Sequence, residues 1–338
     1  KYFDYIIEND IKVNEEHYVS LAYKPMIDDG LKIESYLADK MCQWGTPSDL
    51  ENYLKWSDYF ESISSNNENY FSSKNKDITL IFPMAGAGSR YRKHGHLVPK
   101  PLINVAKEEM FVEAFKCLPK FSKNKFICLK DHLENFPIEE CLKRNYNKNE
   151  YTITSLEKIT QGQACTCEVA IKEPDVDLEK PIIITACDNG ISYDIDKFNQ
   201  LVNDNSNDVI VFSFRKDDTS KNKPEMYSWL SVDDNLDLKK VYVKNCPMED
   251  PFNNHCIIGT MYFRKAKYFL EGLNEIYKKD IKTNNEYYVD NLLNPLVEKG
   301  YNVKVFEVKK YVCWGTHEDL KTYRYWEDHF GNMFKDRL

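Results

Sequence analysis

An internal repeat constrains this chain more than any other feature. Sliding the sequence by 270 positions lays residues 1–60 on residues 271–330 without a gap, and 20 of the 60 pairs are identical. The densest stretch pairs Trp44, Gly45 and Thr46 with Trp314, Gly315 and Thr316. It then pairs Asp49, Leu50, Tyr53, Trp56, Asp58 and Phe60 with Asp319, Leu320, Tyr323, Trp326, Asp328 and Phe330. Further upstream, Asn14, Glu16, Tyr18, Val19, Pro25 and Gly30 match Asn284, Glu286, Tyr288, Val289, Pro295 and Gly300. Residues 1–60 therefore read as the closing portion of a first domain whose front is expected before Lys1. Residues 61–76, which include the polar run NNENYFSSKNK at 66–76, read as a linker. Residues 77–338 read as one complete domain. The alternative for residues 1–60 is a packing arm without a parent domain.

Bulk properties exclude several classes. The net charge of −8 and the lack of any block of five or six like charges argue against a nucleic-acid or anionic-membrane surface, and no run of ~18 apolar residues is present to span a bilayer. Ten cysteines lie mostly in apolar runs with no CxxC pair, and Cys165 and Cys167 are too close for a zinc knuckle. In a chain of 338 residues they read as reduced thiols of a cytoplasmic protein.

Periodicity places strands at Ile78–Pro83, Lys125–Leu129, Pro181–Cys187 and Val209–Phe214, with helical spacing at Met110–Leu118 and Gly162–Lys172. That alternation predicts an α/β fold, a mainly parallel sheet with helices on both faces, binding ligands at the carboxyl ends of its strands.

The first strand runs into Ala85, Gly86, Ala87, Gly88 and Ser89, then Arg90, and Lys100 follows between Pro99 and Pro101. A glycine turn lets backbone amides approach a phosphate, a guanidinium bridges two phosphate oxygens, and a lysine on stiff backbone adds a point charge. The turn alone is equally an ordinary tight turn, since it is neither a P-loop nor a dinucleotide fingerprint. Asp188, just past a buried strand and followed by Asn-Gly, offers a hard oxygen to Mg2+ beside a polyphosphate. Its bland reading is an Asx turn.

Taken together, strand, AGAGSR and PKPLI in this order resemble the signature of the sugar-phosphate nucleotidyltransferases, the nucleoside-diphosphate-sugar pyrophosphorylases, and most resemble their capsule and lipopolysaccharide branch. The resemblance covers about 260 residues, with further likeness at Thr160–Thr166, Ala186–Gly190, Ile258–Phe263, Asn284–Val289 and Trp314–Leu320. It implies a Rossmann-like mixed sheet of the nucleotide-diphospho-sugar transferase type. It also implies a nucleoside triphosphate and a phosphorylated small molecule as substrates, for surface-polysaccharide precursor synthesis, with Mg2+ on Asp188. Arg90, Lys100 and Lys244 take catalytic places in that likeness. The 85–89 turn with Gln161 and Gly162 faces the nucleotide; Lys244, Glu286 and Gly259 face the acceptor. Glu286 reads equally as a cap of the following helix, and Lys244 as a solvated strand-end lysine.

Two departures bear on the acceptor. Val243 stands before Lys244 where the family commonly has Glu, and Cys313 or Trp314 stands where many members carry a second metal aspartate. They motivate the alternative readings, a nucleotide-sensing module or a scaffold that self-associates through the repeated segments. His94 and His96 read as loop histidines rather than metal ligands. The Trp and Tyr clusters at 44–60 and 311–330 have helical spacing and read as packing. No Ser-His-Asp or Cys-His nucleophile arrangement is recognisable.

Overall fold

A computed structural model describes residues 1–65, 77–119 and 121–333. The expected linker at 66–76 lies outside the described residues. The chain divides into two compact units, Lys1–Gly45 and Thr46 onward. The first unit holds a helix at Tyr2–Glu8, a 3-10 turn at Val19–Ala22 and a helix at Tyr23–Asp28. Ile6 and Ala22 are its buried hydrophobic residues, and most of its other apolar side chains are exposed.

The larger unit begins with the helix Pro47–Ser65. The helix continues through Ser65, past the expected linker start at 61, and it groups with the complete domain rather than with residues 1–45. The cause is its aromatic face: Trp56, Tyr59 and Phe60 are buried in the domain core with Tyr323 and Phe330.

The strands of this unit are β1 (Thr79–Pro83), β2 (Lys123–Leu129), β3 (Tyr151–Leu156), β4 (Ile182–Ile184), β5 (Asn189–Ser192), β6 (Val209–Phe214), β7 (Trp229–Val232), β8 (Leu238–Tyr242), β9 (His255–Phe263), β10 (Val303–Glu307) and β11 (Lys310–Cys313). Among the described residues, nine form one sheet in the order β10-β6-β9-β4-β1-β2-β3, with β7 and β8 attached beside β9. β1, β2, β3 and β4 are mutually parallel, as are β6 and β10, while β9 runs antiparallel between β4 and β6. The sheet is mixed and mainly parallel, as expected. β5 and β11 form a separate antiparallel pair.

Alternation along the buried strands builds two cores. Leu80, Phe82, Phe126, Ile183, Ile210 and Phe212 point to one face, where the helix Met110–Lys116 inserts Phe111 and Phe115. Ile81, Ile127, Ile182, Ile184, Val209 and Val211 point to the other, covered by Ala164, Cys167 and Ala170 of the helix Gln163–Ile171 and by Phe269 and Leu273 of the helix Ala266–Lys278. The chain leaves β1 toward β2 on one side and reaches β4 on the other. The carboxyl ends of β1 and β4 are therefore the switch point at which sheets of this kind form a ligand crevice.

Candidate active site

At that switch point, β1 ends at Pro83 and the turn Gly86–Ser89 follows, open to solvent apart from a partly buried Gly88. Gly88 has φ +62, and a Cβ there would lie 3.1 Å from Lys100 Cβ, so the glycine allows the turn and the Pro-Lys-Pro segment to touch. Tyr91, buried one residue after Arg90, donates its hydroxyl to the carbonyls of Trp314 (2.6 Å) and Thr316 (2.9 Å). That bond ties the turn to the closing segment and fixes where Arg90 departs.

Lys100 Nζ donates to Asp188 Oδ2 in a half-buried ion pair. Burial by itself opposes both charges. The facing Asp188 carboxylate nonetheless holds the lysine above its ordinary value, and the Lys100 ammonium, aided by the Arg90 guanidinium, holds Asp188 below the usual carboxylate range. Asp188 is positioned from behind, where its carbonyl accepts from Trp314 N at 2.8 Å. Gly315 keeps the approach open: a Cβ on it would meet Cys313 Sγ at 3.3 Å and Asp188 Oδ2 at 3.5 Å. Cys313 Sγ and Asp188 Oδ2 thus both border Gly315, and burial pushes the Cys313 thiol up to about 12. The nearby Asp319 accepts from Thr316 N and Oγ1, closing the turn before the helix His317–Met333.

Lys244 follows β8 in a left-handed conformation, φ +53, and donates to the Met226 carbonyl. Burial lowers its pKa; Asp290 and Asp188 counter this, and Arg90 adds to it. Asp290 is itself raised by burial, with Ser228 Oγ donating to it at 2.5 Å. The charges of Lys100 and Arg90 thus act on the Asp188 carboxylate, while Asp290 is the carboxylate that acts most on Lys244.

Gly162 has φ +136 and ψ 172, and an added Cβ would lie 2.6 Å from both Tyr287 N and Tyr287 O. Around it, Tyr287 N donates to Gln161 O (2.9 Å) and Ala164 N donates to Tyr287 O (3.0 Å). Gln161 and the neighbouring Glu286 are exposed. The 3-10 turn after Glu286 has Tyr288 at its N-cap and no side-chain cap, so the capping alternative for Glu286 is not realised. Gly259, φ +90, lies against Ala186, where a Cβ would be 3.6 Å from the alanine Cβ.

His94 stacks on His317 at 4.8 Å, and His96 Nε2 lies 3.2 Å from His317 Nδ1. No group of three or more His, Cys, Asp or Glu among the described residues is arranged to hold a metal ion. Asp188 supplies a hard oxygen paired with Lys100, while the nearby Asp319 is engaged by Thr316. One carboxylate suits Mg2+, which completes its shell with phosphate oxygens and water.

Sequence reasoning missed Tyr91, Ser228 and Asp290. Tyr91 had a signal, since it closes the AGAGSRY run; the Ser228–Asp290 contact spans 62 positions and had none. A separate cleft, lined by Lys55, Trp56, Lys216, Phe252, Lys310 and Trp326, lies at the helix Pro47–Ser65. No helix among the described residues is long and apolar enough to cross a membrane.

No protein-family profile and no curated protein matches the chain. Solved structures do. A nucleoside-diphosphate-sugar pyrophosphorylase from Vibrio cholerae is 19% identical with a TM-score of 0.57, the match covering 73% of this chain and 99% of that one. The inositol-1-phosphate CTP transferase from T. maritima is 17% identical with a TM-score of 0.58, over 75% and 96%. A UDP-glucose pyrophosphorylase solved with UDP-glucose is 15% identical with a TM-score of 0.55, over 75% and 99%. The chain shares the fold of these nucleotidyltransferases.

Proposed function

We propose that the domain from residue 77 transfers a nucleoside monophosphate from a nucleoside triphosphate to a phosphorylated small molecule. An acceptor phosphate oxygen attacks the α-phosphorus, the α–β bridging P–O bond breaks, and pyrophosphate leaves with the electron pair. The observation that supports the reading is the Lys100–Asp188 ion pair at the switch point, with Lys100 set against Gly88 of an exposed glycine turn and the Arg90 charge helping to hold Asp188 ionised. Cations beside a carboxylate at such a turn suit a polyphosphate with a divalent ion, because phosphoryl chemistry asks mainly for positioning and charge neutralisation.

The turn amides at 86–89, with Arg90 and Lys100, hold the triphosphate and the departing pyrophosphate. Gln161 and Gly162 line the base side, where the close approach to Tyr287 leaves the backbone bare. Lys244 binds the acceptor phosphate, with Gly259 and Glu286 at the acceptor end. Mg2+ held by Asp188 would neutralise phosphate charge. The acceptor is a sugar phosphate or a related phosphorylated metabolite, and the product serves surface-polysaccharide synthesis in the cytoplasm. Incubating the protein with Mg2+, each of CTP, UTP, GTP, ATP and dTTP, and a panel of sugar 1-phosphates should release pyrophosphate with at least one pair. Nucleotide binding without pyrophosphate release from any pair would favour a sensing module instead.

A further inference from the structure

The repeat is conformational as well as sequential. Asp10, Asn14 and Glu15 have φ of 49, 50 and 63, and their counterparts 270 positions later, Asp280, Asn284 and Asn285, have 46, 50 and 63. The bridge Val13–Glu16 recurs as Thr283–Glu286, and the helical segments Val19–Ala22, Tyr23–Asp28 and Pro47–Ser65 recur at Val289–Leu292, Leu293–Glu298 and His317–Met333. What differs is strand formation. Val303–Glu307 and Lys310–Cys313 are strands because β6 and β5 pair with them, whereas their counterparts at 33–37 and 40–43 are not strands. Helices close their own hydrogen bonds; a strand needs a neighbour.

Burial follows the same split. Tyr36 is 92% exposed while its counterpart Phe306 is 5% exposed, packed against Tyr193, Phe198 and Phe212. Val19 is 62% exposed and its counterpart Val289 3%. Large apolar side chains left exposed where their counterparts are buried mark an interaction site.

The two closing helices meet each other with exchange symmetry. Trp56 stacks on its counterpart Trp326 (5.9 Å), and Phe60 on its counterpart Phe330 (5.8 Å). Tyr53–Phe330 (5.1 Å) is mirrored by Phe60–Tyr323 (5.6 Å), and Tyr53–Trp326 (5.9 Å) by Trp56–Tyr323 (6.3 Å). Each of these ring contacts between position i of one copy and j of the other has its reverse, the hallmark of a two-fold interface.

We infer that residues 1–65 are the closing segment of a second nucleotidyltransferase-fold body, formed by sequence preceding residue 1 in the same polypeptide. That body seats the apolar face of residues 1–45 against its own sheet, and the helix pair Pro47–Ser65 with His317–Met333 is the local two-fold interface between the two bodies. Another copy of residues 77–338 does not fit the face, because the matching seat there is filled by its own β10 and the helices before it. The inference rests on the fold and the repeat, and stands whether or not the Asp188 site is active.

A photo-cross-linking amino acid in place of Tyr36, and separately of Val19, tests it in the polypeptide as its own cells produce it, with cross-linked peptides identified by mass spectrometry. The expected product at position 36 joins it, within one polypeptide, to the upstream counterparts of β6 and the helix Ile195–Asn203. Position 19 should likewise join that upstream body. Cross-links at both positions only to residues 77–338, to a separate polypeptide, or to nothing overturn the inference.

Discussion

Gly162→Ala is the most exacting test of how the candidate site is built. At φ +136 and ψ 172 the backbone lies in a region essentially reserved for glycine, and forcing a side chain there costs about 2 kcal/mol. The new Cβ would also sit 2.6 Å from Tyr287 N and O, closer than any backbone contact tolerates. Relief requires residues 161–164 to withdraw from residue 287, which gives up the Tyr287 N–Gln161 O and Ala164 N–Tyr287 O hydrogen bonds, worth about 1 kcal/mol each. The sum is about 4 kcal/mol. With a urea slope of about 3 kcal/mol per molar, the unfolding midpoint falls by about 1.3 M. Gly86→Ala is the matched comparison: nothing lies within 4 Å of its added Cβ, so its stability should stay within about 0.5 kcal/mol of wild type while nucleotide affinity drops. A Gly162→Ala midpoint within about 0.3 M of wild type would refute the reasoning.

Other expectations follow from single contacts. His255 is buried against Ser213 Oγ at 2.9 Å, and burial, with Arg215 nearby, pushes its imidazole down to about 4. The unfolded chain takes that proton first, near 6.5, so stability is complete above 6.5 and is lost as pH falls toward 4, by up to about 3 kcal/mol. His255→Gln should flatten that acid limb in urea titrations at pH 7 and 4.5; parallel wild-type and variant curves would count against it. Lys125, buried on β2, holds Glu173 at 2.6 Å and Asp175 at 2.8 Å. Because both carboxylates are partly exposed, Lys125→Met should cost about 2 kcal/mol, seen as a Tm lowered by about 5 °C, and an unchanged Tm would contradict the pairing. Lys244→Ala should raise the acceptor KM at least about 10-fold and leave the nucleotide KM near wild type. An equal rise in both would remove Lys244 from the acceptor side.

The parts of the fold legible in sequence were those whose signal is local. The largely apolar run of β1 and its glycine exit marked the switch point, and Val209–Phe214 showed a strand buried on both faces. β5, β7 and β11 are four residues each, too short to carry a period, and they exist through pairing with distant partners such as Val312 with Gly190. At the site, Arg90, Lys100 and Asp188 stood out because proline, glycine and an apolar strand framed them. The Tyr91 anchor spans 223 positions to Trp314, and only tertiary structure reveals such a contact. The helix Pro47–Ser65 shows the same limit: its own spacing displayed an aromatic stripe, not that Tyr323 and Phe330 would receive it.

The proposed cradle of Arg90, Lys100 and Asp188 is tested most directly by following α-labelled nucleoside triphosphate in the wild-type chain and in Lys100→Met. Wild type should convert the label into a nucleoside-diphosphate-linked product with one pyrophosphate per turnover. The variant, lacking the ammonium on Asp188, should be slower by roughly 100-fold or more, the loss expected for one preorganised charge donor. Equal rates in the two proteins, or tight nucleotide binding with no labelled product from wild type, would contradict it.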